Sequence, residues 1–188
     1  MLHKLDEKTS IRRKLLKPFL ININPNIVTV FAVIAAIAAG VSFYYQYLEL
    51  AIIFVALNGF LDMLDGEIAR KHGPTLLGDF LDHAFDRVAD VTILLGITLS
   101  GYIPEQLGFY LIIITLLVSY LGTEAQALSR KRLYGGLLGR AERLVLIMLF
   151  SIAQLFYTDM IYNVVLILLA LSVITFIQRF IYIFRDLK

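Results

Sequence analysis

Four aspartates are the residues of this chain whose type and spacing point most directly to chemistry. Asp62 and Asp65 are three residues apart in LDMLDGEIAR, and Asp82 and Asp86 are four apart a little further along the chain. Residues three or four apart share one face of a helix, so each pair would present two carboxylates side by side. Apolar residues precede the first pair and follow the second, and ionisable groups inside apolar helices are costly and usually functional.

The two acidic pairs are expected at the same depth in a membrane. If one span begins near Glu49, its two aspartates lie about 20 to 24 Å along the helix, in the last third of a core about 30 Å thick. If the next span begins near Gly78 and runs back, its aspartates lie about 6 to 12 Å inside. Consecutive antiparallel helices joined by a short turn are neighbours, so a cluster of four carboxylates is predicted.

The charge of this segment predicts bound cations. Between residues 62 and 90 there are seven acidic residues and three Lys or Arg, an excess of four negative charges that two divalent ions would neutralise. Carboxylate oxygens favour Mg²⁺ or Mn²⁺, and a chain with no cysteine and three histidines offers little to zinc. The alternative is a set of interhelical salt bridges to Arg70 and Arg87, which would leave part of the negative charge unpaired.

Small residues accompany the aspartates. Gly66 and Ala69 follow Asp62 by four and seven positions, on nearly the same helix face, and Gly78 precedes the second pair. Small residues in a membrane bundle serve close helix packing as often as ligand access. Their position beside the carboxylates favours access for a bulky ligand.

The elements that must position these residues are membrane helices. Hydrophobic residues make up 59% of the 188-residue chain. Three stretches of 18 or more residues carry no charged side chain, and each can cross a bilayer. Three further spans are predicted if charged residues are allowed at their ends. The predicted fold is an all-α integral membrane protein with six transmembrane helices, at about 27–48, 50–71, 78–101, 106–123, 137–158 and 160–178.

Charge in the loops predicts the orientation of the six spans. All 17 Lys and Arg residues fall on one side of an alternating topology, whereas the loops near Glu49, Glu105 and Asp159 contain none. By the positive-inside rule, both termini and the acidic cluster lie on the cytoplasmic side of the cell membrane. The net charge of +2 reflects these basic loops, which suit anionic lipid headgroups and give no reason to expect nucleic acid as a partner.

The N-terminal arm predicts one additional helix. Residues 10–20, SIRRKLLKPFL, place apolar side chains on one face and basic ones on the others, as in an amphipathic helix at the membrane interface. A plain topology anchor is the alternative. Asn24 followed by Pro25 predicts a helix start, with asparagine at the N-cap and proline at the first helical position. No linker or repeat is visible, so residues 1–188 are predicted to form a single domain.

The acidic pairs and the small residues form one ordered pattern of eight positions, Asp62-x2-Asp65-Gly66-x2-Ala69-Arg70 and then Gly78-x3-Asp82-x3-Asp86. This pattern resembles the signature of the CDP-alcohol phosphotransferases, integral membrane enzymes that make phospholipids. The family usually has eight residues between the arginine and the second glycine, where this chain has the seven residues KHGPTLL. The shorter turn lies outside the helices, so we expect it to leave the metal ligands in place.

The resemblance implies a mechanism and a set of partners. It implies that Asp62, Asp65 and Asp82, with help from Asp86, hold two divalent ions against the diphosphate of a CDP-linked lipid. It also implies that Asp86 accepts the proton of the acceptor hydroxyl, which attacks the β-phosphorus and expels CMP. Six spans, an N-terminal surface helix and a homodimer are usual in the family. The CDP-binding residues that it implies are Asp65, Gly66, Ala69, Arg70 and Gly78.

Two arginines are candidates for binding the acceptor alcohol. Arg140 and Arg143 follow GGLLG at the start of a predicted span, with Glu142 between them. Because both arginines lie inside the span, they are predicted to face a cavity. Guanidinium groups in such a cavity would bind an acceptor that carries a phosphate.

The identity of the acceptor is predicted by resemblance alone. Family members that use inositol phosphate tend to have basic residues after a Ser-Tyr pair, where this chain has LGT at residues 121–123. The stretches YLGTEAQA and GRAER resemble archaeal members that make archaetidylglycerol phosphate from CDP-archaeol and glycerol phosphate. We therefore expect glycerol phosphate as acceptor, with inositol phosphate as the alternative, and CDP-archaeol or CDP-diacylglycerol as donor.

Two other functions would use an acidic cluster in a membrane. Intramembrane prenyltransferases also bind a diphosphate through Mg²⁺ and aspartates, but those chains are longer and carry two acidic motifs in loops. A divalent cation transporter would need polar residues that continue toward the outer side, where spans three to six are nearly uncharged. Both functions are less consistent with this sequence than the transferase.

Overall fold

The structure is a computed structural model that describes residue 16 and residues 23–73, 75–129 and 136–187. Over these residues it is all-helical, with no strand. The chain divides into two compact units, with the division between Gly96 and Ile97. The helices are α1 (Pro25–Tyr44), α2 (Leu48–His72), α3 (Leu76–Leu99), α4 (Glu105–Ser129), α5 (Arg140–Gln154) and α6 (Met160–Asp186).

Each of these helices overlaps one predicted span, but the bounds differ. α1 ends at Tyr44, before the predicted residue 48, and α6 continues to Asp186, beyond the predicted residue 178. By length and composition three of them can cross a membrane, and they cover Pro25–Tyr44, Glu105–Leu128 and Met160–Asp186. α2 and α3 carry the acidic residues, and α5 has 15 residues, which corresponds to about 22 Å. That these three also cross the bilayer remains a prediction of the sequence.

The start of α1 confirms the prediction for Asn24 and Pro25. The Asn24 side chain accepts a hydrogen bond of 3.0 Å from the backbone N–H of Asn26, and Pro25 occupies the first helical turn. The capping bond satisfies one of the free N–H groups at the helix start, and proline has no N–H that would need a partner. The start of α1 is therefore determined by Asn24 and Pro25 themselves.

In the first unit α1 packs along α2 and also crosses α3. At the crossing a Cβ atom on Gly40 would overlap the carbonyl group of Thr92, and one on Gly96 would overlap the backbone of Gly40. The two helix backbones are therefore in direct contact, which only small residues permit. On the α2 side, the buried Asn58 amide donates a 2.9 Å hydrogen bond to the Ala32 carbonyl.

The predicted interfacial helix, residues 10–20, lies outside the described residues except for Leu16. Leu16 is buried in a cluster with Val28, Leu64 and Ile68 of α1 and α2. This one side chain of the apolar face packs against protein.

In the second unit α6 packs against both α4 and α5. The Arg179 guanidinium on α6 donates a 2.7 Å hydrogen bond to the Val118 carbonyl on α4. A Cβ atom on Gly108 of α4 would overlap the Thr98 side chain at the end of α3. Polar bonds and small residues thus hold these helices together.

Candidate functional site

Three of the four predicted aspartates converge in the first unit. Asp62 on α2 and Asp82 and Asp86 on α3 each offer a carboxylate oxygen, and these oxygens all lie within 4.8 Å of one another. All three side chains are half-buried. The spacing of four residues places Asp82 and Asp86 together on α3, where they meet Asp62 of α2. The predicted cluster of four carboxylates is thus found for three of them.

The fourth aspartate lies beside this group and is more deeply buried. Asp65 is 4% exposed, and it is close enough to Asp62 and Asp82 for electrostatic repulsion. Its carboxylate interacts with the Thr29 side chain on α1. One of its oxygens, Oδ2, is buried and has no hydrogen-bond partner among the residues that the structure describes. A buried oxygen without a partner is costly, and a cation would satisfy it.

Of the two arginines that could pair with the aspartates, Arg87 lies beside the cluster and Arg70 pairs elsewhere. The Arg87 Nη1 atom lies 3.4 Å from Asp86 Oδ2. Arg70, the other candidate partner, is mostly exposed and pairs at 2.8 Å with Glu67 on its own helix. The alternative interpretation required salt bridges from both Arg70 and Arg87 to the aspartates. The structure shows Arg87 beside Asp86, whereas Arg70 is paired with Glu67.

His83 lies between two acidic side chains of α3. Its Nδ1 atom is 3.3 Å from Asp82 Oδ2, and its Nε2 atom is 3.5 Å from Asp79 Oδ1. The histidine side chain is mostly buried, whereas Asp79 is exposed. Both ring nitrogens are buried and neither makes a hydrogen bond with a described residue. His83 is therefore a candidate for orienting the Asp82 carboxylate by proximity, a role that residues around metal ligands commonly have.

Two glycines, Gly73 and Gly78, lie at the connection between α2 and α3. Gly73 has a φ of +93°, a conformation that favours glycine, and ends α2. The Gly78 N–H donates a 3.0 Å hydrogen bond to the Thr75 hydroxyl at the start of α3. A Cβ atom on Gly78 would lie 3.0 Å from Thr75 Oγ1 and 3.5 Å from Asn26 Oδ1. The expectation that KHGPTLL lies outside the helices is wrong for four of its seven residues, because α2 continues to His72 and α3 begins at Leu76. Gly78 lies next to the start of α1.

The other predicted CDP-binding residues lie on α2. Gly66 and Ala69 are half-buried, and the Arg70 side chain is 57% exposed. Arg70 can therefore reach a ligand outside the helix pair, whereas the two small residues leave space close to the backbone. Their role in binding CDP remains a prediction.

The donor set fits a hard divalent cation. Its members are carboxylate oxygens from two helices, they are close enough to share an ion, and one neighbouring buried oxygen lacks a partner. Mg²⁺ and Mn²⁺ take oxygen ligands of this kind, and the cost of burying several carboxylates is offset when a cation binds. The arrangement can bind a diphosphate through such ions and accept a proton from a nearby hydroxyl.

The candidate acceptor residues lie in the second unit, at the start of α5. Arg140 is the first residue of α5, and Arg143, one turn later, is 4% exposed. Glu142 is engaged locally, because its Oε2 atom accepts a 3.2 Å hydrogen bond from the Gly139 N–H. Two guanidinium groups and the positive end of a helix dipole are therefore found in one turn.

Several polar residues of the helices were not predicted from the sequence. Thr29 contacts Asp65, and Thr175 and Gln178 contact the segment before α5. These residues could have been noticed in the sequence because they are polar and lie inside apolar spans. Polarity of this kind indicates a functional residue but does not predict which residue it contacts.

A family model described as CDP-alcohol phosphatidyltransferase matches residues 22–178. The matched range includes every site residue predicted from the sequence.

Two archaeal archaetidylinositol phosphate synthases are similar in sequence to this chain. The one from Pyrococcus horikoshii is 38% identical over 160 residues, which is 85% of this chain and 82% of that protein. The one from Methanothermobacter thermautotrophicus is 34% identical over 163 residues, which is 86% of this chain and 83% of that protein.

The phosphatidylinositol phosphate synthase of Mycobacterium tuberculosis is similar in structure. Its crystal structure with CDP-DAG bound matches with a TM-score of 0.76 and 26% identity, over 93% of this chain and 92% of that one. Its crystal structure in complex with manganese and citrate matches with a TM-score of 0.76 and 25% identity, over 94% of this chain and 88% of that one.

Proposed function

Because the chain belongs to the CDP-alcohol phosphatidyltransferase family, we propose that it transfers the substituted phosphate of a CDP-linked lipid to inositol phosphate and releases CMP. The chain is a membrane enzyme of phospholipid synthesis. The observation that carries the proposal is the convergence of the Asp62, Asp82 and Asp86 oxygens beside the buried Asp65.

Inositol phosphate replaces glycerol phosphate, which the sequence favoured, as the proposed acceptor. The sequence argument against inositol phosphate was the absence of basic residues at positions 121–123. Relatives named as archaetidylinositol phosphate synthases cover more than four fifths of this chain and therefore outweigh that local feature. By the same comparison we propose CDP-archaeol as the donor, and CDP-diacylglycerol as the alternative.

The acidic cluster would hold two divalent cations, Mg²⁺ or Mn²⁺, through Asp62, Asp65 and Asp82, with Asp86 contributing to one of them. A crystal structure of the mycobacterial relative in complex with manganese supports this assignment. When bound, the cations supply positive charge that binds the diphosphate and stabilises the leaving phosphate.

Asp86 is proposed as the general base. Its carboxylate accepts the proton of the acceptor hydroxyl, and the hydroxyl oxygen forms a bond to the β-phosphorus. The bond from that phosphorus to the oxygen bridging the two phosphates breaks, and the electron pair leaves with CMP. Arg87, 3.4 Å from Asp86, holds the carboxylate in place during these steps. A positioned base of this kind contributes roughly 10² to 10⁴-fold to the rate.

The remaining site residues bind the two substrates. Asp65, Gly66, Ala69, Arg70 and Gly78 are proposed to bind CDP, because small side chains leave room near the backbone and the exposed Arg70 can reach an anionic ligand. Arg140 and Arg143 are proposed to bind the phosphate of the acceptor. Guanidinium groups in the first turn of a helix, together with the N-terminal end of its dipole, favour an anionic ligand.

The chain is further proposed to have six spans, to be oriented with both termini and the acidic cluster on the cytoplasmic side, and to form a homodimer. The one-sided distribution of Lys and Arg supports the orientation. The family resemblance supports the dimer.

The proposal is tested by CMP release from purified protein in detergent with CDP-archaeol, Mn²⁺ or Mg²⁺, and a panel of inositol phosphate, glycerol phosphate, inositol and serine. We expect release that requires both the metal and inositol phosphate, and that falls by about 10² to 10⁴-fold in Asp86→Asn. Asp159→Asn changes an exposed aspartate outside the acidic cluster and serves as the control. Metal-independent release, or full activity in Asp86→Asn, would contradict the proposal.

A further inference from the structure

Side chains of α6 hold the segment immediately before α5, residues 136–139. The Leu138 N–H donates a 3.0 Å hydrogen bond to Thr175 Oγ1, and the Leu137 N–H donates one of 3.2 Å to Gln178 Oε1. Two consecutive backbone groups are thus bound by side chains that are three residues apart on one helix face. We call Thr175 and Gln178 the α6 clamp.

The Thr175 hydroxyl is oriented for this contact. Its hydrogen is donated to the Leu171 carbonyl at 2.7 Å, one turn earlier on α6, so the oxygen presents its lone pairs outward. A hydroxyl in a helix commonly makes only the bond to the preceding turn. Here it also accepts the Leu138 N–H, in a fully buried position. Loss of the hydroxyl would leave a buried backbone donor without this acceptor.

Gly136 brings the segment close enough for the clamp. Its φ is +127°, and a Cβ atom there would lie 2.5 Å from Thr175 Cγ2. A larger residue could adopt neither this backbone conformation nor this distance from α6. The glycine at position 136 therefore allows residues 136–139 to pack closely against the Thr175 side chain.

The position of the first turn of α5 depends on this segment. α5 begins at Arg140, directly after Gly139, and Arg143 is buried. Neither clamp residue is itself cationic, so their contribution to an anion site would be indirect. On the α6 side, Arg179 bonds the Val118 carbonyl, which fixes the same stretch of α6 to α4.

We propose that Thr175 and Gln178 are positioning residues for the acceptor: by holding residues 136–139 they place the Arg140 and Arg143 guanidinium groups for binding the acceptor phosphate. The inference rests on the proposed function, in which these arginines bind that phosphate. A displacement of about 1 Å in such a binding group is enough to impair a reaction strongly.

The test compares steady-state kinetics of the wild type with Thr175→Val, which keeps the shape and removes the hydroxyl. We expect the KM for the phosphorylated acceptor to rise by about 10-fold, while the KM for the CDP-lipid, the Mn²⁺ requirement and kcat at saturating acceptor change by less than about 3-fold. Thr175→Ser keeps the hydroxyl and is expected to restore the acceptor KM.

Two further variants keep the test decisive. Ser172→Ala removes another buried hydroxyl one turn earlier on α6 and is expected to leave the acceptor KM unchanged. Gln178→Met changes a less buried clamp residue, so it remains measurable if Thr175→Val does not fold. It is expected to raise the acceptor KM selectively, by a smaller factor.

The outcomes separate this inference from the proposed function. Equal rises in the KM for donor and acceptor, or no effect of either clamp variant, would overturn the inference and leave the reaction intact. The same conclusion would follow if the wild-type enzyme used only an unphosphorylated alcohol as acceptor. No CMP release by the wild type with any acceptor would overturn both.

Discussion

At the scale of single residues, the chemistry was predictable to the extent that it depends on spacing along a helix. The pairs Asp62 with Asp65 and Asp82 with Asp86 were recognisable because helical periodicity is local. The structure brings three of these four side chains within 4.8 Å of one another. The contact of Asp65 with Thr29 joins residues far apart in the sequence, so no spacing predicts it. His83 is adjacent to Asp82, but whether its ring turns toward that carboxylate depends on side-chain direction.

Asp65→Asn is expected to have opposite effects on the protein with and without metal. The substitution removes a buried negative charge that is repelled by Asp62 and Asp82, so the metal-free protein should unfold at a higher temperature. It also removes a proposed ligand, so Mn²⁺ should raise the unfolding temperature much less than in the wild type. Thermal unfolding in detergent with EDTA or Mn²⁺ measures both effects. A variant stabilised by Mn²⁺ as strongly as the wild type would show that Asp65 is not a ligand.

His83→Ala is expected to weaken metal binding without abolishing the reaction. His83 lies 3.3 Å from Asp82, and loss of a residue that orients a metal ligand typically costs about 10 to 100-fold in metal affinity. The measurement is the Mn²⁺ concentration that gives half-maximal CMP release. His72→Ala changes an exposed histidine at the end of α2 and is the matched control. An unchanged Mn²⁺ requirement in His83→Ala would mean that His83 only fills space.

At the scale of helices, the sequence predicts where each one lies better than how they pack. Each of the six predicted spans overlaps one of the helices α1–α6, because uncharged runs and loop charges are local features. The cap at Asn24 was predicted for the same reason. The contact of Gly40 with Gly96 could not be predicted, because many glycines occur in apolar helices and only the fold selects the pair that touches.

Gly96→Ala is expected to destabilise the first unit, because its new Cβ atom would overlap the backbone of Gly40. Overpacking of this kind costs about 1 to 3 kcal/mol. Gly59→Ala on α2 is the matched control, since a Cβ atom there has nothing within 4 Å and alanine favours the helix. Denaturant unfolding of the detergent-solubilised protein compares the two. Equal stability of both variants would contradict the close crossing of α1 and α3.

At the scale of the whole molecule, family and reaction class followed from the eight-position pattern, whereas the acceptor did not. The pattern encodes the metal and CDP chemistry that all family members share, so it cannot distinguish their acceptors. The choice of glycerol phosphate depended on residues 121–123 and two short resemblances, and the curated relatives favour inositol phosphate instead. No short motif encodes how separate segments come together, as in the contact of α6 with residues 136–139.

The membrane topology can be tested directly because the chain contains no cysteine. Single cysteines at Tyr47 and Phe156, both exposed between helices, are expected to react with a membrane-impermeant maleimide on intact cells. Cysteines at His72 and Leu137 are expected to react only after the membrane is permeabilised. Labelling of all four positions, or of the second pair alone, would contradict the six-span orientation.

The most direct test of the central claim is the product formed in competition. Purified protein is incubated with CDP-archaeol, Mn²⁺ and equal concentrations of inositol phosphate and glycerol phosphate, and the lipid product is identified by mass spectrometry alongside CMP. The account predicts archaetidylinositol phosphate, formed in the same amount as CMP and absent when EDTA is added. Archaetidylglycerol phosphate as the main product would contradict the proposed acceptor, and a lipid product formed without divalent metal would contradict the role of the acidic cluster.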